Sequence, residues 1–529
     1  MQNKKFIFLI FTVLGGSFLL SFFIDYQPFL SQGDHGRDLY AFEATLRGEA
    51  PYRDYWWVYG PLMPYYYSLF FKFLGTQIPS ILLGKALLNL LSGVLVFLIL
   101  TAVISPIFAF AGALWFWVFN PDFFYTYNHP GGITMLLAAT YALFLYLQNP
   151  RTAYILWGLA SITVLAFIKL NFGLSSLLVF LASIFLIDTV HKSPVSMAKK
   201  QIYLFSFFML PPLILLTYFG LLADLCPYEI RECFPYLQSD QQYYISISDG
   251  IKFWSQTILS RMTASPTDAL LSLVVVLCLI KIILTVLTGD NQKSKREISL
   301  ALAISGFFYI VNLHEYIHSG IVYRLAWSEP YLMLLTFIII FYATQSLGRL
   351  VQTLLLSAVL LITGLTAMNQ IQAISTVKTA DHYISHTKGK IFANNSWPWI
   401  DTVQKTSQYL EQRLQKEDLF FAMPYDPIFY YLTGRKSPTR QLIFFDHINI
   451  PAEQELKVIS QLDAERVNYI VLSNRLSAKE SGLGTFGQTY CPTLKKYIDE
   501  HFVPVQVFGD WEHEPGWAWN YGTIILKRK

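Results

Sequence analysis

Residues 33–62 read GDHGRDLYAFEATLRGEAPYRDYWWVYGPL, a charged and aromatic stretch set between two long apolar runs, 6–24 and 80–104. A hydrocarbon core about 30 Å thick is crossed by roughly 20 apolar residues, each rising about 1.5 Å. Both flanking runs have that length, so the stretch reads as a loop outside a membrane. If residues 34–44 are helical, Asp34 and Asp38 lie one turn apart on the same face. Lys4 and Lys5 precede the first run, and no small-x-small motif precedes the polar turn Asp25-Tyr26-Gln27-Pro28. That run is long for a signal-peptide core and reads as an uncleaved first transmembrane helix.

Composition extends the membrane reading to most of the chain. Of the 529 residues, 54% are hydrophobic and 14% charged, and the mean hydropathy is +0.40. A soluble domain carries roughly 25% charged residues because its surface faces water. A net charge of +4 is small for this length and gives no case for nucleic acid as a partner. Further apolar runs fall at 106–120, 131–147, 153–168, 172–188, 201–222, 268–288, 298–313, 330–345 and 350–368, about eleven spans in all. Pro61 to Leu74 is aromatic and interrupted by Pro64, which reads as an interfacial helix.

Basic residues set the orientation. With a cytoplasmic N-terminus, the compact links at Arg151, at His191 to Lys200, at Lys293 to Arg296 and at Arg349 are all cytoplasmic. The long loops 25–79 and 223–267 then lie outside, and so does the C-terminal region. From about residue 371 charges become frequent and strand-like runs appear at Leu419–Pro424, Tyr469–Leu472 and Thr523–Leu526, with helix-like stretches at 401–416 and 453–464. The expected fold class is an α-helical polytopic membrane protein: a transmembrane domain over 1–370 and an extracytoplasmic α/β domain over 371–529. The four cysteines, Cys226, Cys233, Cys278 and Cys491, form no CxxC pair, so neither a zinc ribbon nor a thioredoxin-type site is indicated. A disulfide between Cys226 and Cys233 stays open.

Several polar residues stand at the ends of apolar runs. Asp34 is either a helix cap or a proton acceptor, and Asp38 either faces solvent or assists it. Arg53 is expected to close the turn Tyr52-Arg53-Asp54 by an Arg–Asp contact, with substrate contact the minor reading. Tyr59 and its aromatic neighbours offer a sugar-stacking face or an interfacial belt. Lys169, between two spans, and Lys85, a few residues into another, are ionisable groups at membrane depth and so are candidate phosphate contacts; the alternative is snorkelling to the headgroups. His129, in the turn Asn128-His129-Pro130-Gly131, is a candidate to bind substrate or a metal ion, the alternative being a structural role in the turn. His314 and His318 have H-E-x-x-x-H spacing rather than the H-E-x-x-H of zinc proteases, so no metal site is assigned. Arg324 has the geometry of a phosphate clamp. In the C-terminal region, Tyr425-Asp426-Pro427 reads as a strand–turn–helix joint or as a site of acceptor recognition.

The loop resembles the opening of the GT-C glycosyltransferases, especially their dolichyl-phosphate-mannose and ArnT-like bacterial branches. The resemblance lies in Asp34-His35-Gly36 after the first helix, the aromatic segment behind it, the turn Gly48-Glu49-Ala50-Pro51-Tyr52-Arg53-Asp54 and the proline-bearing Pro61-Leu62 that follows. It covers about 45 residues strongly and the rest of the chain loosely. It implies an inverting glycosyltransferase that takes a sugar from a polyprenyl-phosphate donor to a lipid, glycan or protein acceptor outside the bacterial inner membrane, without cofactor. Asp34 then holds the catalytic aspartate position. Where many relatives have Asp-Glu, this chain has Asp34-His35, so Asp38 is the candidate for the second acid. Lys169 matches a lysine common in the corresponding short turn. Two other classes remain: a transporter or flippase for a lipid-linked glycan, and a non-catalytic membrane assembly factor. A transporter would have charges along the middle of the bundle, whereas here they collect in outside loops.

Overall fold

A computed structural model describes residues 33–119, 127–191, scattered positions between 196 and 220, 245–264, 293–345, 347–378, 383–392, 399–477, 482–513 and 520–529. The apolar runs 6–24 and 268–288, most of 201–222, and Cys226, Cys233 and Cys278 lie outside the described residues.

The described chain opens with α1 (Asp34–Leu46) and α2 (Leu62–Leu74). The membrane helices follow: α3 (Ile78–Thr101), α4 (Pro106–Phe119), α5 (Asn128–Gln148), α6 (Thr152–Ile168) and α7 (Leu170–His191). After α8 (Ile247–Ala264) come α9 (Lys293–Asn312), the short α10 (His314–Ser319), a 3-10 turn (Val322–Trp327), α11 (Glu329–Gln345) and α12 (Arg349–Lys378). Among the described residues, five helical stretches are long and apolar enough to cross a membrane: Ile78–Thr101, Asn128–Gln148, Leu170–Thr189, Glu297–Ser319 and Arg349–Asn369. Three shorter apolar helices, α4, α6 and α11, accompany them. All eight coincide with apolar runs of the sequence. The chain is therefore a helical membrane protein.

Burial sorts these helices. α5 packs against α3, α6, α7 and α9 at the centre of the bundle, and 83% of its apolar 18-residue stretch is buried, whereas α12 runs along the outside with 6% of its stretch buried. Leu350, Leu354, Leu361, Leu365 and Met368 of α12 are exposed apolar residues. Apolar side chains on a surface this continuous belong in lipid rather than water.

The C-terminal region carries a hairpin of β1 (Tyr383–His386) and β2 (Gly389–Phe392), then α13 (Trp399–Arg413), β3 (Phe420–Met423), α14 (Ile428–Thr433), α15 (Ala452–Ala464), β4 (Tyr469–Ser473), α16 (Pro492–His501), β5 (Phe502–Gly509) and β6 (Gly522–Arg528). The four-stranded sheet has the order β3-β4-β6-β5. β3 and β4 run parallel, with Phe420 opposite Tyr469, and the other two pairings are antiparallel. All four residues of β3 are buried, as a strand covered on both faces requires.

The first loop does not pack with the bundle core alone. Leu39, Phe42, Tyr55 and Trp56 share one continuous hydrophobic core with Trp399, Phe420, Ile428 and Tyr430 of the C-terminal domain. A second core holds α3–α7, α9 and α11 together. One backbone and one side-chain hydrogen bond seal the first contact: Trp56 N donates to Arg440 O at 2.8 Å, and Arg440 Nε donates to Tyr52 O at 2.6 Å. Gly36 is placed by necessity, because a Cβ there would lie 2.6 Å from Ile428 N. α1 is thus wedged between the bundle and the sheet domain.

Candidate active site

Asp34 is the first residue of α1, but its carboxylate does not cap the helix; Gly33 holds the cap position and no side-chain capping bond forms. Instead Oδ1 accepts a hydrogen bond from the Tyr425 hydroxyl at 2.7 Å and one from Arg37 Nη1 at 3.2 Å. The side chain is 25% exposed. Asp38, one turn on, is fully buried. Arg37 Nε and Nη2 both donate to Asp38 Oδ1, at 2.9 and 2.7 Å, and Tyr127 N donates to Oδ2 at 3.2 Å. Asp38 therefore does not face solvent, and it is not an open second acid beside Asp34. Burial pushes its carboxyl up to about 6, against the pull of Arg37. Burial also works against the charge on Arg37, yet Asp38 and its other neighbours hold the guanidinium well above its ordinary value.

Arg37 completes the cluster. Its Nη1 also donates to the Tyr425 hydroxyl at 2.9 Å, and its guanidinium lies 5.4 Å from the Trp57 ring centre and 5.0 Å from that of Tyr59. Tyr59 is fixed from behind by the Tyr52 hydroxyl, which donates to Tyr59 O. Gly60 N donates to Ile168 O at 3.0 Å, tying the loop to the end of α6.

Lys169, between α6 and α7, also lies over Tyr59, with Nζ 5.6 Å from the same ring centre. Lys169 does not snorkel. Its ammonium pairs with Glu315 at 2.6 Å and lies over Phe172 and Trp327. Asn171 Nδ2 donates to Glu315 Oε1 at 2.8 Å and also contacts His314 Nε2 at 2.9 Å, while His314 Nδ1 meets Val311 O at 2.9 Å. Both nitrogens of His314 are thus engaged, and among the described residues no three His, Cys, Asp or Glu side chains gather as a metal site. Arg324, partly buried in the 3-10 turn, stands within electrostatic reach of Glu315, Lys169 and His129. His129 is buried edge-on against Trp327 at 5.0 Å, with no hydrogen-bond partner on Nδ1.

The structure therefore gathers Asp34, Asp38 and Tyr59 around Arg37, and Lys169, Arg324 and His129 near Glu315. Arg53 stays outside, bound to Asp54 on the exposed rim at 2.6 Å. Lys85 is buried within α3 rather than reaching for a surface. Sequence patterning does not single out Arg37 or Glu315, and it marks Tyr425 only within a segment read as a joint or as a site of acceptor recognition. Arg37 carried a local signal, standing three residues after one carboxylate and one before the other. The other two are joined to their partners only by the fold.

No family model matches the chain, and no curated protein matches it. Solved structures do. ArnT from Cupriavidus metallidurans in the apo state superposes with a TM-score of 0.58 at 12% identity, over 99% of this chain and 98% of that one. ArnT from the same organism bound to undecaprenyl phosphate gives 0.51 at 10% identity, over 98% of each chain. The Archaeoglobus fulgidus oligosaccharyltransferase in complex with Zn and sulfate gives 0.50 at 13% identity, over 88% of this chain and 68% of that one. The chain shares the fold of the two ArnT structures.

Proposed function

On this shared fold, we propose that the chain is an inverting glycosyltransferase that moves a sugar from a polyprenyl-phosphate donor to an acceptor outside the membrane. The observation that carries the reading is Asp34. Its carboxylate is partly open, and among the described residues both of its hydrogen bonds fall on Oδ1. Oδ2 is left to receive a proton, as a general base requires. ArnT, whose fold this chain shares, has been crystallised with undecaprenyl phosphate, which supports a donor of that class.

The step balances as a single displacement. The acceptor hydroxyl oxygen bonds to the anomeric carbon while its proton passes to Asp34 Oδ2. The carbon–oxygen bond to phosphate breaks, and its electron pair leaves with the polyprenyl phosphate. Attack opposite the leaving group inverts the anomeric centre. Charge growing on the phosphate needs fixed cations in a site shielded from water. Arg37 and Arg324 are the candidates, with Lys169 over the Tyr59 ring. Asp38 and Glu315 hold Arg37 and Lys169 in place, so Asp38 is assigned to positioning rather than to proton transfer. Cations supply the charge in this scheme, so no metal is assigned a role, and EDTA is expected to leave the rate unchanged. The donor would enter from the bilayer of a bacterial inner membrane, with the sheet domain on the extracytoplasmic side.

The test is direct. Purified protein given a polyprenyl-phosphate sugar and a lipid, glycan or protein acceptor releases polyprenyl phosphate, and Asp34→Asn slows release about 10²- to 10⁴-fold. Movement of a lipid-linked glycan across proteoliposomes without bond cleavage would overturn the proposal in favour of a flippase.

A further inference from the structure

We propose that Tyr425, supplied by the C-terminal domain, is a positioning residue of the transfer site, and that this domain is therefore part of the active site rather than an appendage. The inference rests on the transferase reading and deepens it. The Tyr425 hydroxyl is used twice: it donates to Asp34 Oδ1 at 2.7 Å and accepts from Arg37 Nη1 at 2.9 Å. It thereby fixes the carboxylate and the guanidinium relative to each other, across 391 residues of sequence in the first case.

The phenol is itself held rigidly. Tyr425 lies in the turn between β3 and α14, 4% exposed and edge-on to Phe445 at 6.2 Å. The neighbouring Asp426 is buried, accepting from Ser473 Oγ at 2.7 Å and from the Tyr521 hydroxyl at 2.6 Å. Phe444 N donates to Pro424 O at 2.8 Å on the other flank. Directly after the turn, α14 meets α1 backbone to backbone at Gly36. The helix carrying Asp34 therefore cannot shift without moving the turn that carries Tyr425. Burial also keeps the Tyr425 hydroxyl protonated well above its ordinary range, so it remains a donor at any working pH. With Oδ1 occupied by two donors, Oδ2 is the oxygen that faces an acceptor.

Tyr425→Phe keeps the ring and removes only the hydroxyl. Hydrogen bonds to charged groups are strong enough that kcat should fall roughly 10- to 100-fold, with KM for the lipid donor changed less than about threefold. Tyr431→Phe is the control. That hydroxyl contacts Thr76 O at 3.1 Å, away from Asp34, and its loss should leave kcat within about threefold of wild type. A Tyr425→Phe enzyme with wild-type kcat would overturn the proposal while leaving the transferase reading intact. Asp34→Asn in the same assay tests that reading separately, since full turnover by it removes the base. Independently of turnover, melting temperatures of Asp34→Asn, Tyr425→Phe and the double variant report the contact. Non-additive shifts are expected, and strictly additive ones would count against it.

Discussion

Arg37 and Lys169 face the ring of Tyr59 from 5.0 and 5.6 Å, and each is paired with a buried carboxylate, Asp38 or Glu315. The two clusters nevertheless end in different states. Around Lys169 the acid is closed off: Glu315 takes bonds from Lys169 and Asn171 and is 6% exposed. Around Arg37 there is a second acid, Asp34, that keeps one oxygen open. A saturated pair holds its place, whereas an unsaturated carboxylate beside a fixed cation can exchange a proton. The difference follows from where the clusters sit. Lys169 and Glu315 lie at the ends of bundle helices, where an unmet charge is costly. Asp34 lies at the seam between the bundle and the sheet domain, where its side chain is 25% exposed.

The contrast gives a ranked set of outcomes. Asp34→Asn is expected to lower turnover by about 10²- to 10⁴-fold, the usual contribution of a general base, with little loss of stability. Equal effects on turnover and melting would erase the distinction between the clusters. Glu315→Gln is expected to do the reverse, mainly destabilising the fold, because removing one partner of a buried pair costs about 3–5 kcal/mol. Replacing both partners, Lys169→Met with Glu315→Leu, should recover most of that loss in a thermal melt while still impairing turnover if Lys169 supports the phosphate.

Asp38 sharpens the comparison through pH. Its folded-state value of about 6 lies above the ordinary 3.8. Between those values the folded chain keeps a proton that the unfolded chain has released, so stability falls as pH rises through the window and levels off above about 6. The slope integrates to the order of 3 kcal/mol at about 1.36 kcal/mol per pH unit. Melts between pH 4 and 7 should show this decline in the wild type and lose it in Asp38→Asn. The smallest effect belongs to Arg53→Ala. That pair is exposed, exposed pairs contribute about 0–1 kcal/mol, and turnover should stay within about twofold of wild type.

Much of this was legible in the sequence, and the limits have a physical pattern. Apolar length alone located α3 to α7, α9, α11 and α12, since lipid leaves a helix few other options. Helical spacing placed Asp34 and Asp38 one turn apart, as α1 confirms. The same spacing could not say that Asp38 would be sealed beneath Arg37, because its other partner, Tyr127 N, lies 89 residues away in sequence. Lys169 stood out as a charge at membrane depth, but its partner Glu315 lies 146 residues away and was embedded in a histidine spacing that drew attention to metal instead. Tyr425 fell within a segment read as a structural joint. It is one, and the joint also delivers a hydroxyl to Asp34.

The central claim is that Asp34 takes the acceptor's proton in a single displacement at the anomeric carbon. Its most direct test is the configuration of the product formed from a polyprenyl-phosphate sugar of known anomeric form, read by NMR for the wild type and for Asp34→Asn. The account predicts the opposite anomer from the wild type and product formed about 10²- to 10⁴-fold more slowly by the variant. Retained configuration, or inverted product from Asp34→Asn at the wild-type rate, would contradict it.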